Sequence, residues 1–343
     1  MKRRAFLLGA LVLPADAGAR AKQVNAAPKQ KQVTRKPPLA PSPLQPGLRE
    51  AKLQIVSFDS SAFPYSGVVP DTNKPFLDAR NGRLRGHTSL RGDVYWEQPT
   101  YSDRRSLLYL PPGFDIQRPS MIVLYLHGQG SMLERDVIAR QAVPRQLADS
   151  GLNAALVAPQ LAVDASDSSA GNFWRPGHFA NFIDEASERL MHLLGNPNAG
   201  YAFNRAPVVI VAYSGGYVAT AYALDRGGAG HRIRGVILMD ALYGDEDKFA
   251  NWIAPRRRQA FLLSAYTDST KDENANLEGL LDKSRVSYLR GLPPSLAPGT
   301  IAFAGCGSDN LHTDFVTRAW RPDPLKHALS LIPGYSVRGR QGV

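Results

Sequence analysis

The sequence predicts an α/β protein with a mostly parallel sheet, on three observations. Apolar runs at 121–126, 154–159 and 208–213 are continuous rather than alternating, as in strands covered on both faces. Segments with helical spacing separate them, as parallel crossovers require. The runs end in polar or glycine-bearing turns, and in such sheets chemistry gathers beyond the carboxyl ends of the strands.

In chain order, 106–112 reads as a strand stopped by Pro111 and Pro112, and 121–126 as a strand running into His127-Gly128-Gln129-Gly130. Helical spacing from 134 to 150 predicts a helix. A strand at 154–159 leads through a long loop to an amphipathic helix at 180–194. The strand at 208–213 is followed by a helix at 215–224, and 235–239, 260–266 and 300–304 complete the strands. The positions selected at strand ends are His127 to Gly130, Ser214, Asp240, Asp268 and His312.

Around this body, 343 residues with 43% hydrophobic and 21% charged composition exclude a wholly disordered or fibrous chain. One cysteine, Cys306, excludes an internal disulfide framework and a thiolate zinc cluster. Met1-Lys2-Arg3-Arg4, an apolar run from Ala5 to Leu13 and small residues to Ala19 have the grammar of a signal peptide, so 1–19 is expected to be an export signal and the protein periplasmic or secreted. Arg3-Arg4-Ala5-Phe6-Leu7 resembles the twin-arginine export motif. The run is too short to span about 30 Å of hydrocarbon, so no transmembrane segment is expected in the mature protein.

Residues 20–50 lack hydrophobic periodicity and are rich in proline, which predicts a disordered basic linker ahead of a single domain at 51–343. The charge of +11 lies mostly here: residues 20–52 carry eight basic side chains against Glu50, and everything from Leu53 onward nets only +2. A nearly neutral body implies no basic groove and no nucleic-acid partner.

Ala212-Tyr213-Ser214-Gly215-Gly216, between a buried strand and a helix, resembles the G-x-S-x-G nucleophile elbow of the α/β-hydrolase superfamily, with Ala212 in place of the first glycine. His127-Gly128-Gln129-Gly130 sits where that superfamily places its oxyanion loop. The stretch from Arg105 to Asp115 resembles the opening of secreted esterases of the polyhydroxybutyrate-depolymerase and feruloyl-esterase kind. The resemblance spans roughly residues 106–331 and leaves 53–105 unmatched. It implies an α/β-hydrolase fold, Ser214 as nucleophile, and the amides of Gly215 and Gln129 as oxyanion donors.

His312, beyond the last strand, is the expected general base, while His127 is expected to brace its loop and His327 to be structural. Two carboxylates compete for the acid. Asp240 ends one strand among apolar residues, where burial demands donors; Asp268 ends the next, in a polar loop. Asp240 is favoured, with Asp268 the alternative, and either keeps the order Ser, Asp, His. The segment 164–174 is too long for a minimal connection, and Phe173 and Trp174, with Tyr213, are expected to line a substrate pocket. No glycine-rich phosphate loop or dinucleotide fingerprint is present, so neither organic cofactor nor metal is expected. The implied activity is hydrolysis of a small-molecule or polymer carboxylic ester through an acyl-enzyme. Cleavage of cell-wall peptides, or a non-catalytic binding protein on the same fold, are the alternatives.

Overall fold

The computed structural model describes residues 47–307 and 309–337. The expected export signal at 1–19 and most of the expected linker lie outside these residues. Leu48 is already tied to the body by two backbone hydrogen bonds with the turn at Gly113 and Phe114, so the folded part starts slightly before residue 51.

Twelve strands occur among the described residues: β1 (Lys52–Ser57), β2 (Ala79–Asn81), β3 (Leu84–Thr88), β4 (Val94–Trp96), β5 (Arg105–Leu110), β6 (Met121–Leu126), β7 (Ala154–Pro159), β8 (Val208–Tyr213), β9 (Ile233–Met239), β10 (Phe261–Tyr266), β11 (Leu289–Arg290) and β12 (Ile301–Gly305). Nine form one sheet in the order β1-β5-β7-β6-β8-β9-β10-β12-β11. β5 runs antiparallel to both β1 and β7, and every other pairing is parallel.

The continuous apolar runs have the reason the sequence suggests. In β8, Val208, Ile210 and Ala212 pack into one core, under the helices His178–Leu194, Tyr217–Arg226, Glu246–Arg256 and Lys271–Lys283. Val209, Val211 and Tyr213 pack into a second core, under Val143–Asp149 and Pro324–Ser330. Both faces are thereby removed from water, which supplies the main stabilisation at roughly 25 cal/mol per Å² of apolar area.

Two elements depart from expectation. The helix foreseen over 134–150 is a π-helix, Leu133–Arg140, and a separate α-helix, Val143–Asp149, broken where Ala142 takes a left-handed φ of 50°. The unmatched segment 53–105 folds as the edge strand β1 and a small antiparallel sheet, β2-β3-β4. That small sheet rests on an aromatic cluster of Phe63, Tyr65, Phe76, His87, Tyr101 and Trp174.

Candidate active site

Strand order sets the site. β6, β8 and β9 are neighbours, so His127 to Gly130, Ser214 and Asp240, each just past the carboxyl end of one of them, meet on one edge of the sheet. Ser214 opens a 3-10 turn at φ 49°, a left-handed conformation that side-chain-bearing residues seldom adopt. The turn can be this tight because its neighbours lack side chains. A Cβ on Gly216 would lie 2.3 Å from the Leu126 carbonyl oxygen, and one on Gly128 would lie 2.7 Å from Ser214 Cβ. Ala212, at the position where the superfamily motif has glycine, is fully buried in the sheet and accommodated there.

His312 arrives from the loop after β12. Its Nε2 lies 3.0 Å from Ser214 Oγ, and its Nδ1 lies 2.5 Å from Asp240 Oδ2. The backbone of the loop is held from two sides: Tyr213 Oη donates to the His312 carbonyl at 2.8 Å, and Arg140 Nη1 donates to the Thr313 carbonyl at 3.0 Å. The imidazole also stacks on the Tyr213 ring.

Asp240 is fully buried, yet its carboxylate is well supplied with donors. Thr267 N and Thr270 Oγ1 donate to Oδ1 at 2.9 and 3.0 Å, and Thr267 Oγ1 donates to Oδ2 at 2.9 Å. Burial pushes its pKa up, but the bonds from His312 and Thr267 outweigh that and hold it below the ordinary value. With the charge fixed on Asp240, His312 Nδ1 carries the proton and Nε2 is the acceptor facing Ser214.

Ser214 and His312, with Asp240 buried behind the imidazole, open into a cavity of about 440 Å³ that is also lined by Gln129, Gly215, Ser168, Tyr217 and Tyr243. The amides of Gln129 and Gly215 donate to no other group among the described residues. Leu90 and Arg91, on the β3–β4 turn of the small sheet, reach the same cavity, Leu90 fully exposed. Sequence reasoning missed both, since 53–105 carried no motif. No cluster of three or more His, Cys, Asp or Glu able to hold a metal is found among the described residues.

A mostly parallel sheet with β5 reversed, a serine elbow after the central β8, and an aspartate and a histidine brought to it in that chain order together define the fold. The chain has an α/β-hydrolase fold. No protein-family model and no curated protein matches it by comparison. Solved structures similar to it include a feruloyl esterase module from Clostridium thermocellum complexed with sinapinate, at 15% identity over 83% of this chain and 100% of that one, with a TM-score of 0.42. An S-formylglutathione hydrolase from Agrobacterium tumefaciens is 14% identical over 74% of this chain and 97% of that one, with a TM-score of 0.38. A ferulic acid esterase from Anaeromyces mucronatus, in complex with ferulic acid, is 15% identical over 71% and 90%, with a TM-score of 0.34.

Within this hydrolase fold several expected site residues lie elsewhere. Asp268 is exposed at the start of a 3-10 turn, and only its amide reaches across, to the Gly307 carbonyl at 3.1 Å. Phe173 and Trp174 do not line the cavity. Phe173 is buried against Phe179 and Phe182 of the helix that follows it, and Trp174 against Tyr65 and Phe76 of the segment 53–105. Tyr213 braces the His312 loop instead of facing the cavity. His127 is buried and its pKa falls to about 4 through desolvation; its Nε2 accepts from Leu161 N, so its Nδ1 donates to the Gly128 carbonyl and fixes that turn. His327 accepts from Trp320 Nε1, a packing role.

Proposed function

We propose that the protein is a serine hydrolase of carboxylic esters, exported to the periplasm or beyond, with Ser214 as nucleophile, His312 as general base and Asp240 as the acid. The observation that carries this reading is the unbroken hydrogen-bonded series from Ser214 Oγ through His312 to the buried Asp240, opening into a cavity of ester-sized volume.

In the first step Ser214 Oγ adds to the ester carbonyl carbon while its proton passes to His312 Nε2. Asp240 holds the Nδ1 proton and stabilises the imidazolium. The carbonyl oxygen, now an oxyanion, accepts from the Gly215 and Gln129 amides, a pair of donors worth about 3 kcal/mol or more each in such sites. Collapse of the tetrahedral intermediate expels the alcohol, which takes its proton from His312 Nε2. Water, deprotonated by the same nitrogen, then attacks the acyl-enzyme and releases the acid and free Ser214. Gln129 is steadied for this by its side chain, which donates to Ser168 Oγ at 2.8 Å.

Fluorophosphonate labelling of the mature protein, wild type beside Ser214→Ala, with the modified peptide identified by mass, tests the reading. Labelling of wild type alone, at Ser214, with hydrolysis of a nitrophenyl ester falling by about 10³-fold or more in the variant, is the expected result. A folded wild type that neither labels nor cleaves esters would point instead to a binding protein on this fold.

A further inference from the structure

The amino ends of the strands, at the opposite edge of the sheet from Ser214, hold a second concavity. A crevice of about 290 Å³ has among its walls Met121 of β6, Val209 of β8, Phe261 of β10, Leu296 and Ile332, and the exposed Arg234 and Arg258 also line it. Among the described residues neither arginine has an ion pair or hydrogen bond. A neighbouring pocket of about 540 Å³ shares Arg234 and Tyr335 with the crevice and adds Arg205, His231 and Arg232. No carboxylate lines either one. Arg232 is itself buried and spends its guanidinium on Asp184 and the Ala206 and Phe203 carbonyls, which leaves Arg234, Arg258 and Arg205 as a local excess of cations beside an apolar slot.

We propose that this is a binding site for a single-chain amphiphile with an anionic head. The apolar walls would take the chain, whose transfer from water is favourable by about 0.8 kcal/mol per methylene. The crevice lies near the lower end of the ~300–1,000 Å³ range of ligand sites, which selects a medium chain over a long one. Arg234, common to both pockets, is the junction where chain meets head. A guanidinium fork matches a carboxylate or a phosphate equally well, so the shared chemistry is the anion. The site is separate from the Ser214 cavity and does not depend on the hydrolase reading.

Titration calorimetry of the full-length chain with decanoate, decyl phosphate and decanol, all below their aggregation concentrations, tests the proposal. Saturable one-to-one binding of one or both anions is expected, with decanol about tenfold weaker, as loss of a charge-assisted contact implies. Preference for decanoate or for decyl phosphate would assign the head. Arg234→Gln with Arg258→Gln should weaken anion binding about tenfold while leaving ester hydrolysis unchanged. Pro298→Trp, at an exposed position on the crevice wall, should block all three ligands with both arginines intact. Absence of saturable anion binding, equal affinity for decanol and the anions, or loss of binding after fluorophosphonate labelling of Ser214 would each overturn the proposal.

Discussion

The turns after β9 and β10 each carry an aspartate at or near the strand end, and the two have opposite characters. Asp240 is sealed from water and receives four donors, from His312, Thr267 and Thr270. Asp268, on the adjacent strand end, leaves its carboxylate in solvent and contributes a backbone amide to the Gly307 carbonyl. The turn bearing Asp268 also carries Thr267 and Thr270, so the exposed aspartate's own turn supplies the donors of the buried one. A buried carboxylate survives where neighbours can satisfy it, and proximity to a strand end is not enough.

The sharpest way to break this contrast is Asp240→Asn, which keeps the shape and removes the charge. We expect kcat for a nitrophenyl ester to fall by about 10⁴-fold, because the imidazole loses both its tautomer control and its counter-charge. Steady-state kinetics on a variant of unchanged circular dichroism checks this. Next in size is Thr270→Val. One donor to the buried carboxylate disappears, and a hydrogen bond to a charged group is worth about 1.5–3 kcal/mol, so thermal or urea denaturation should register a loss on that scale.

Acid stability sharpens the comparison further. The folded-state pKa of Asp240 lies below its ordinary 3.8, so its contribution is fully present above that value and is lost as pH falls through the lowered one. Melting temperature measured from pH 6 to pH 2 should therefore drop more steeply in wild type than in Asp240→Asn. The smallest effect belongs to Asp268→Asn, whose kcat/KM should stay within about twofold of wild type, as for surface changes without a buried partner. A loss approaching that of Asp240→Asn would reverse the assignment.

Much of this was legible in the chain itself. β6, β7, β8 and β9 announce themselves because burial on both faces leaves no polar position, and strand ends pointed to Ser214, Asp240 and His312 together. The contrast between the two aspartates was only half legible. The donors that satisfy Asp240, from Thr267, Thr270 and His312, are 27, 30 and 72 residues away. Trp174 is packed against Tyr65 and Phe76 of a segment whose strands, three residues each in β2 and β4, are too short to show a period, and Phe173 turns onto Phe179 and Phe182 of the following helix. β1 alternates weakly at an exposed edge, which also mutes its signal.

The left-handed backbone of Ser214 has an engineering consequence. Holding a non-glycine residue at φ 49° costs on the order of 1–3 kcal/mol. In the role proposed for Ser214, that expense serves to lift its hydroxyl above the sheet. A glycine there would relax the turn, so on the proposed mechanism a more heat-resistant but inert scaffold lies a single substitution away, and selection for thermal endurance alone would drift toward it.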